Sequence, residues 1–192
     1  MKEIVFATNN LHKLEEVRHL AGNDIRILSL KEIGCNEDIP EDADTLEGNA
    51  SIKSRYISGK YGIDCFADDT GLEIDALGGR PGVRSARYAG EECIAANNVK
   101  KVLAEMEGMA DRRARFRTVI SLIINGHEMI FEGVVEGTIL HSPRGTDGFG
   151  YDPVFLPDGK DKSFAEMSLE DKNKISHRAR AIEKLIGHLL HS

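Results

Sequence analysis

The dipeptide Asn125-Gly126 separates two long segments with strand-like sequences, and this arrangement constrains the fold more than any other feature of the chain. Both residues tolerate positive φ, so the pair predicts a type I′ hairpin between strands over residues 115–124 and 128–139. A hairpin joins antiparallel strands, whereas the remaining strand patterns alternate with helical ones. The sequence therefore predicts an α/β fold built on a mixed sheet rather than a purely parallel one.

The start of the chain predicts a strand followed by a helix. Residues 4–7 are apolar, and apolar residues then recur at helical spacing over residues 14–21. Gly22 is expected to end this helix. The polar residues Thr8, Asn9 and Asn10 are thereby placed in the loop or cap between the two elements.

A second helix is expected over about residues 45–58, after an acidic stretch that reads as an exposed loop. Asp44 and Glu47 have the spacing of a capping box at its start. Gly59 and Gly62 are expected to end it.

Two adjacent carboxylates, Asp68 and Asp69, follow the apolar residues 65–67. These residues predict a buried strand that leads into a tight turn at 68–71, followed by a half-exposed strand over 72–76. Oxygen ligands suit Mg²⁺, so a magnesium ligand and a general base are one interpretation of the pair. An ordinary acidic turn with local hydrogen bonds is the other.

Two segments carry groups suited to phosphate. The segment Thr8–Lys13 combines short polar side chains, a helix N-terminus and a lysine, which together make an anion site or a plain helix cap. The segment 172–181 places Ser176, His177 and Arg178 at the first turn of the last helix, where His177 and Arg178 could donate to a carbonyl. A solvated basic face is the alternative interpretation.

The segment "FGYDPVF" combines aromatic residues with close glycines. Glycine lets the backbone approach a ligand, and Phe149 and Tyr151 are candidates to stack on a base. The alternative is a tight turn whose aromatic rings lie in the core. The arginines Arg80, Arg84 and Arg87 fit either a site or a subunit interface.

The composition excludes several classes of protein. The 192 residues carry a net charge of -7, which argues against a general nucleic-acid or membrane-surface binder. The three cysteines are odd in number and widely spaced, so we expect reduced thiols and no zinc site. No apolar run has the length of a signal peptide or membrane span, and a cytoplasmic protein is expected.

Taken together, "TNNLHK", "IPEDADTLEGNA", "ADDTGLEIDALGGRPGVRSARYAG", "FGYDPVF" and "KNKISHRARA" resemble the non-canonical purine NTP pyrophosphatases, also called inosine/xanthosine triphosphate pyrophosphatases. The resemblance covers nearly the whole chain, in order and spacing. It implies one domain over residues 1–192, with an elongated mixed sheet flanked by helices and two lobes around a central nucleotide-binding cleft. It also implies a homodimer that uses Mg²⁺ to hydrolyse ITP, dITP and XTP to the monophosphate and pyrophosphate, which cleanses the nucleotide pool.

The resemblance assigns roles to matching residues. Asp69 is implied to be the proton acceptor and a metal ligand, while Asp68 is expected to support the turn or the groups that surround the metal ligands. Glu41 is implied as a second metal ligand. Where many members carry two glutamates this chain has Glu47-Gly48, so Glu47 is the alternative ligand. The implied substrate-binding residues are Thr8, Asn9, Asn10, Leu11, His12, Lys13, Thr70, Phe149, Gly150, Tyr151, Asp152, Lys172, His177 and Arg178.

The base choice has a physical explanation. Hypoxanthine and xanthine carry an acceptor at position 6, where adenine carries a donor. Donors such as Arg178 aimed at this position would stay unpaired against adenine. Two other functions remain open: a Maf-like pyrophosphatase acting on pyrimidine or modified nucleotides, and a nucleotide-binding sensor without turnover.

Overall fold

The protein is an α/β fold in which a seven-stranded mixed sheet is combined with five α-helices, within residues 2–191 that the computed structural model describes. The strands are β1 (Lys2–Phe6), β2 (Ile25–Ser29), β3 (Cys65–Ile74), β4 (Pro81–Gly82), β5 (Arg113–Ile124), β6 (His127–Ile139) and β7 (Phe155–Pro157). The helices are α1 (Leu11–Ala21), α2 (Leu46–Tyr61), α3 (Ala95–Glu105), α4 (Leu169–Asn173) and α5 (His177–His191). In this range, no helix is long and apolar enough to cross a membrane.

The sheet has the strand order β2-β1-β3-β5-β6-β7, with β4 paired to β3. Strand β1 runs parallel to β2 and β3, whereas the β3–β4 and β6–β7 pairs are antiparallel. The turn between β5 and β6 has φ values of 50° at Asn125 and 77° at Gly126, as a type I′ turn requires. The predicted mixed sheet and its hairpin are confirmed.

The chain divides into two compact units. The first contains the described residues up to Asp69, Thr118–Gly133 and the residues from His177 onward. Its core includes Phe6, Val17, Ile120 and Leu185. The second contains Thr70–Arg117 and Val134–Ser176, and its core includes Leu72, Val102, Phe155 and Phe164.

Helix α1 begins and ends where the sequence predicts. The side chain of Asn10 caps it by accepting a hydrogen bond from the N–H of Lys13 at 3.2 Å. Gly22 follows the last turn with φ 58°, a conformation that favours glycine. The loop over Thr8–Asn10 therefore delivers its polar groups to the N-terminus of a helix.

Helix α2 has a different N-cap from the predicted one, and of the two glycines predicted to end it only Gly62 does so. Thr45, not Asp44, is the N-cap, because its hydroxyl accepts from the N–H of Gly48 at 3.0 Å. Gly59 lies inside the helix, and Gly62 in a left-handed conformation ends it. Glycine lowers helix propensity without forcing a stop, whereas positive φ does force one.

Strand β3 corrects the predicted turn at residues 68–71. The strand runs without interruption from Cys65 to Ile74, so Asp68 and Asp69 are strand residues. Gly71 is not part of a turn but lies where strand β4 approaches β3 closely. A Cβ at Gly71 would lie 2.6 Å from the carbonyl oxygen of Gly82, in the paired strand β4. Glycine is therefore needed for close strand packing.

The last helix begins at His177, so His177 and Arg178 lie in its first turn and Ser176 immediately precedes it, as predicted. Strand β6 approaches this turn closely. A Cβ at Gly133 would lie 2.0 Å from the carbonyl oxygen of His177. The absence of a side chain at Gly133 thus lets the first turns of α5 pack directly against β6.

Candidate active site

The side chains predicted to bind the triphosphate lie at the start of α1. The hydroxyl of Thr8 accepts from the N–H of Asn10 at 3.1 Å, and Asn9 donates to Asp38 at 3.2 Å. Leu11 and His12 are exposed on the first turn, and the side chain of Leu11 is an unusually exposed large apolar group. Backbone N–H groups at such a helix start attract anions.

Asp68 joins α1 and α5 to β3 through two ion pairs, of which the one with Arg178 is fully buried. Lys13 donates to Asp68 Oδ1 at 2.9 Å, and Arg178 donates to Asp68 Oδ2 at 3.2 Å. Arg178 also contacts the buried carboxylate of Glu16. Burial raises the pKa of Asp68, but the charges of Lys13, Arg178 and Lys53 outweigh burial and hold the pKa well below its usual value.

Arg178 is 2% exposed and its guanidinium contacts two carboxylates. A contact between this side chain and a base oxygen would require these ion pairs to rearrange. Its role in substrate binding stays a prediction, as does that of the neighbouring buried His177.

Asp69 has a different environment from Asp68, although the two are adjacent. Its Oδ2 accepts a hydrogen bond from Asn49 Nδ2 at 2.9 Å. Burial raises the pKa of Asp69 and the charge of Glu41 adds to this effect, while Lys53 and the Asn49 hydrogen bond oppose it. The net result is a raised pKa.

Lys53 connects the acidic loop before α2 to strand β3 at Asp68. Its ammonium contacts the carboxylate of Glu41 and donates to the carbonyl oxygen of Asp68 at 2.6 Å. Burial alone would lower the pKa of Lys53, but the carboxylates of Glu41, Asp68 and Asp69 raise it overall. Glu41 therefore belongs to the same cluster as Asp69.

Sequence reasoning missed three members of this group: Glu16, Asn49 and Lys53. All three are polar side chains on the buried faces of predicted helices. Asn49 and Lys53 are four residues apart, so they lie on one face of α2. Polar residues that recur at helical spacing on the apolar face of a predicted helix were therefore a signal in the sequence that could have identified Asn49 and Lys53. We call Lys13, Glu16, Glu41, Asn49, Lys53, Asp68, Asp69 and Arg178 the aspartate cluster.

In the second unit, Phe149, Asp152 and Lys172 come together. Asp152 Oδ2 accepts from the N–H of Phe149 at 2.9 Å and from Lys172 Nζ at 2.7 Å. The ammonium of Lys172 lies 4.8 Å from the centre of the Phe149 ring. A Cβ at Gly148 would collide with the Asp152 carboxylate, so this fold of the loop needs glycine there.

The two aromatic side chains of this loop differ. Phe149 is half-buried, whereas Tyr151 belongs to the core of the second unit and is 5% exposed. The Tyr151 hydroxyl donates to the carbonyl oxygen of Ser85 at 2.7 Å. The expectation that the Tyr151 ring stacks on a base therefore conflicts with its burial, and Phe149 is the better candidate.

The remaining residues described here were also singled out by the sequence. Thr70 follows Asp69 in β3 and is half-buried, and Gly150 has φ 63° in the Phe149 loop. Glu47 lies half-buried in the first turn of α2. The arginines Arg80 and Arg84 face glutamates of their own unit, Glu105 and Glu91 respectively.

The aspartate cluster contains carboxylates of the kind that bind divalent cations. Within residues 2–191, no three His, Cys, Asp or Glu side chains form a group that could hold a metal ion. Asp69 and Glu41 nevertheless contact Asn49 and Lys53, respectively, which lie on one face of α2. Mg²⁺ commonly uses one or two carboxylates together with substrate phosphates, so this donor set fits Mg²⁺ bound with a nucleotide.

The chain belongs to the Ham1 family, whose model matches residues 4–188. A dITP/XTP pyrophosphatase of Porphyromonas gingivalis is 54% identical over 99% of this chain and 98% of its own length. A dITP/XTP pyrophosphatase of Flavobacterium johnsoniae is 53% identical over 96% of both chains. The resemblance inferred from the motifs is confirmed.

Solved structures agree with the fold. A HAM1 protein from Coxiella burnetii superposes with a TM-score of 0.91, at 40% identity over the full length of both chains. The prediction of a mixed sheet flanked by helices is therefore confirmed, while the predicted cleft between two lobes stays a prediction.

Proposed function

We propose that the protein hydrolyses ITP, dITP and XTP to the corresponding monophosphate and pyrophosphate, and so removes non-canonical purines from the nucleotide pool. Membership of the Ham1 family supports this proposal. Relatives that share about half of their residues over nearly the whole chain are named dITP/XTP pyrophosphatases.

The observation that carries the proposal is the different set of partners around two adjacent carboxylates: Asp68 accepts from Lys13 and Arg178, whereas Asp69 accepts from the neutral amide of Asn49. The pKa of Asp68 is lowered by surrounding cations, which suits a permanently charged structural anchor. The pKa of Asp69 is raised by burial, which makes its carboxylate a stronger base. Adjacent carboxyls whose pKa values are pushed apart are typical of acid–base sites.

Asp69 is accordingly proposed as the group that accepts the proton of the attacking water. Asp69 and Glu41 would hold Mg²⁺, which when bound neutralises charge on the leaving pyrophosphate. Lys53 holds Glu41 and the backbone of Asp68 in place. The segment Thr8–Lys13 would bind the triphosphate through backbone N–H groups and the Lys13 ammonium.

The nucleoside end is assigned to another set of residues. Phe149 offers a half-buried ring for stacking, and Lys172 beside it carries a positive charge. Donors aimed at position 6 of the base would pair with hypoxanthine and xanthine but not with adenine. Thr70 is proposed to contact substrate, and the residues proposed to bind the nucleoside end or its phosphates are Phe149, Gly150, Tyr151, Asp152, Lys172, His177 and Arg178.

The proposal includes three broader features. Residues 1–192 are proposed to act as one pyrophosphatase domain, and the active protein as a homodimer. Its compartment is proposed to be the cytoplasm, in keeping with its three free cysteines. Neither nucleic acid nor a membrane is proposed as a partner, because the net charge is -7.

Product analysis tests the proposed reaction. Purified protein is incubated with ITP and Mg²⁺, and the products are separated by anion-exchange chromatography. IMP and pyrophosphate in equal amounts are expected, whereas IDP and phosphate would contradict cleavage between the α- and β-phosphates. Parallel reactions with dTTP test the Maf-like alternative. Tight ITP binding without product would indicate a sensor.

A further inference from the structure

Both ends of the Asn49 side-chain amide are hydrogen-bonded, one of them to Asp69. Asn49 is 1% exposed and lies one turn into helix α2. Its Oδ1 accepts from the backbone N–H of Ala43 at 3.0 Å, and its Nδ2 donates to Asp69 Oδ2 at 2.9 Å. One buried amide thus joins the acidic loop to the strand that carries the proposed base.

The orientation of this amide is determined by its partners. A backbone N–H can only donate, so the oxygen of Asn49 must face Ala43. The amide nitrogen is then directed at Asp69, where it requires an acceptor. Asn49 therefore favours the ionised carboxylate and one rotamer of Asp69.

A second connection runs alongside the first. Lys53, one turn later on the same face of α2, contacts Glu41 and the carbonyl oxygen of Asp68. Glu41 lies two residues before Ala43, and Asp68 lies one residue before Asp69. Both α2 residues therefore join the same two segments, and two connections restrict relative movement more than one does.

The packing of the acidic loop against α2 supports the same interpretation. A Cβ at Gly48 would lie 2.6 Å from the Cβ of Ala43, so the loop touches the helix backbone itself. This contact exists because the chain has glycine at the position before Asn49. Ala43 is thereby held where its N–H meets the Asn49 oxygen.

We infer that Asn49 is a positioning residue that sets the distance between the carboxylates of Asp69 and Glu41. This distance determines whether the two carboxylates can bind one divalent cation together. The inference rests on the proposed function, because it gives this spacing a role in pyrophosphate release. Asn49 acts through Asp69 and the loop and needs no contact with substrate. Its loss should therefore reduce kcat and the response to Mg²⁺ more than it changes KM for ITP.

The test compares Asn49→Ala with Asn98→Ala. Asn98 is a matched control, because it is 4% exposed, lies in helix α3 and uses both ends of its amide. It accepts from the N–H of Ala89 at 2.7 Å and donates to the carbonyl oxygen of Ala86 at 2.8 Å, with no carboxylate partner. Both variants lose a buried amide, but only one loses the connection to Asp69.

Two measurements are made on each full-length variant. Hydrogen exchange without metal or nucleotide follows peptides that contain Ala43, and we expect exchange in Asn49→Ala to be about tenfold faster than in wild type. With ITP, Asn49→Ala should lose about tenfold in kcat and need more Mg²⁺ for half-maximal rate, since a hydrogen bond to a charged group is lost. Asn98→Ala should change neither quantity by as much.

Unchanged exchange around Ala43 in Asn49→Ala would overturn the inference without any substrate. A kcat and Mg²⁺ requirement equal to those of Asn98→Ala would also overturn it, provided that wild type releases pyrophosphate from ITP. Failure of wild type to do so would contradict the proposed function instead, and with it the catalytic role of the spacing. If Asn49→Ala does not fold, Asn49→Ser is measured against the same expectations, because its hydroxyl is too short to reach both partners.

Discussion

Arg178 donates a hydrogen bond to Asp68 across 3.2 Å, although both side chains are almost completely buried and lie 110 residues apart in the sequence. Lys13 uses the other oxygen of the same carboxylate. Asp68 thus connects the first turn of α5 and the first turn of α1 to strand β3. The carboxylate beside the proposed base serves as an anchor for both helices.

Substituting Asp68 tests this anchor. Asp68→Asn should lower the free energy of unfolding by about 3–5 kcal/mol, because Arg178 and Lys13 would lose a buried counter-charge. Urea denaturation at neutral pH measures the change. The control is Glu3→Gln, which removes the exposed pair with Arg26 and should cost less than about 1 kcal/mol. Equal losses in the free energy of unfolding in the two variants would contradict the proposal that Asp68 holds α1 and α5 in place.

Acid should weaken the same anchor. The pKa of Asp68 is lowered in the folded protein, so its contribution is complete above the unfolded pKa and is lost as the pH falls towards the folded pKa. The stability difference between wild type and Asp68→Asn should therefore shrink as the pH drops below about 4. Urea titrations at several pH values measure this difference. A difference that stays constant into strong acid would contradict the assignment.

Two glycines of α2 should respond oppositely to alanine. Gly59→Ala should raise the free energy of unfolding by about 0.5–1 kcal/mol, because alanine favours helix and no atom lies within 4 Å of the new Cβ. Gly48→Ala should show no gain or a loss, because its Cβ would lie 2.6 Å from that of Ala43. Thermal or urea unfolding distinguishes the two, and equal gains would contradict the close packing of the acidic loop.

Substitutions of the two aromatic residues of the "FGYDP" segment should affect different quantities, substrate binding for Phe149 and stability for Tyr151. Phe149→Ala should raise KM for ITP about tenfold with little change in kcat, since stacking on a base is worth about 1–3 kcal/mol. Tyr151→Phe should instead lower the free energy of unfolding by about 1 kcal/mol, because the Ser85 carbonyl loses its donor. Steady-state kinetics and urea denaturation measure both variants. A larger rise in KM for Tyr151→Phe than for Phe149→Ala would contradict this assignment and would implicate the Tyr151 hydroxyl in substrate binding, since the ring is kept.

Much of the fold was predictable because local signals agreed. Asn125-Gly126 predicted the hairpin, and Asn10 and Gly22 marked the ends of α1. The "ADDTG" segment was misread because aspartate and glycine are common turn residues. Its glycine instead allows strand β4 to approach, and a contact made by a distant segment leaves no local pattern.

The candidate site was predictable in outline only. The motifs named Lys13, Asp69 and Glu41, and the structure places these residues in one cluster with buried Asn49 and Lys53. The opposite pKa shifts of Asp68 and Asp69 could not be read from the sequence. They depend on which cations the fold brings to each carboxylate, and Arg178 comes from the far end of the chain.

The most direct test of the account is pyrophosphate release from ITP and ATP by wild type and Asp69→Asn, each with Mg²⁺. Wild type should favour ITP over ATP by at least about a hundredfold in kcat/KM. Asp69→Asn should lose at least about a hundredfold in kcat with ITP while remaining folded. Equal turnover of ATP and ITP, or full activity of Asp69→Asn, would contradict the account.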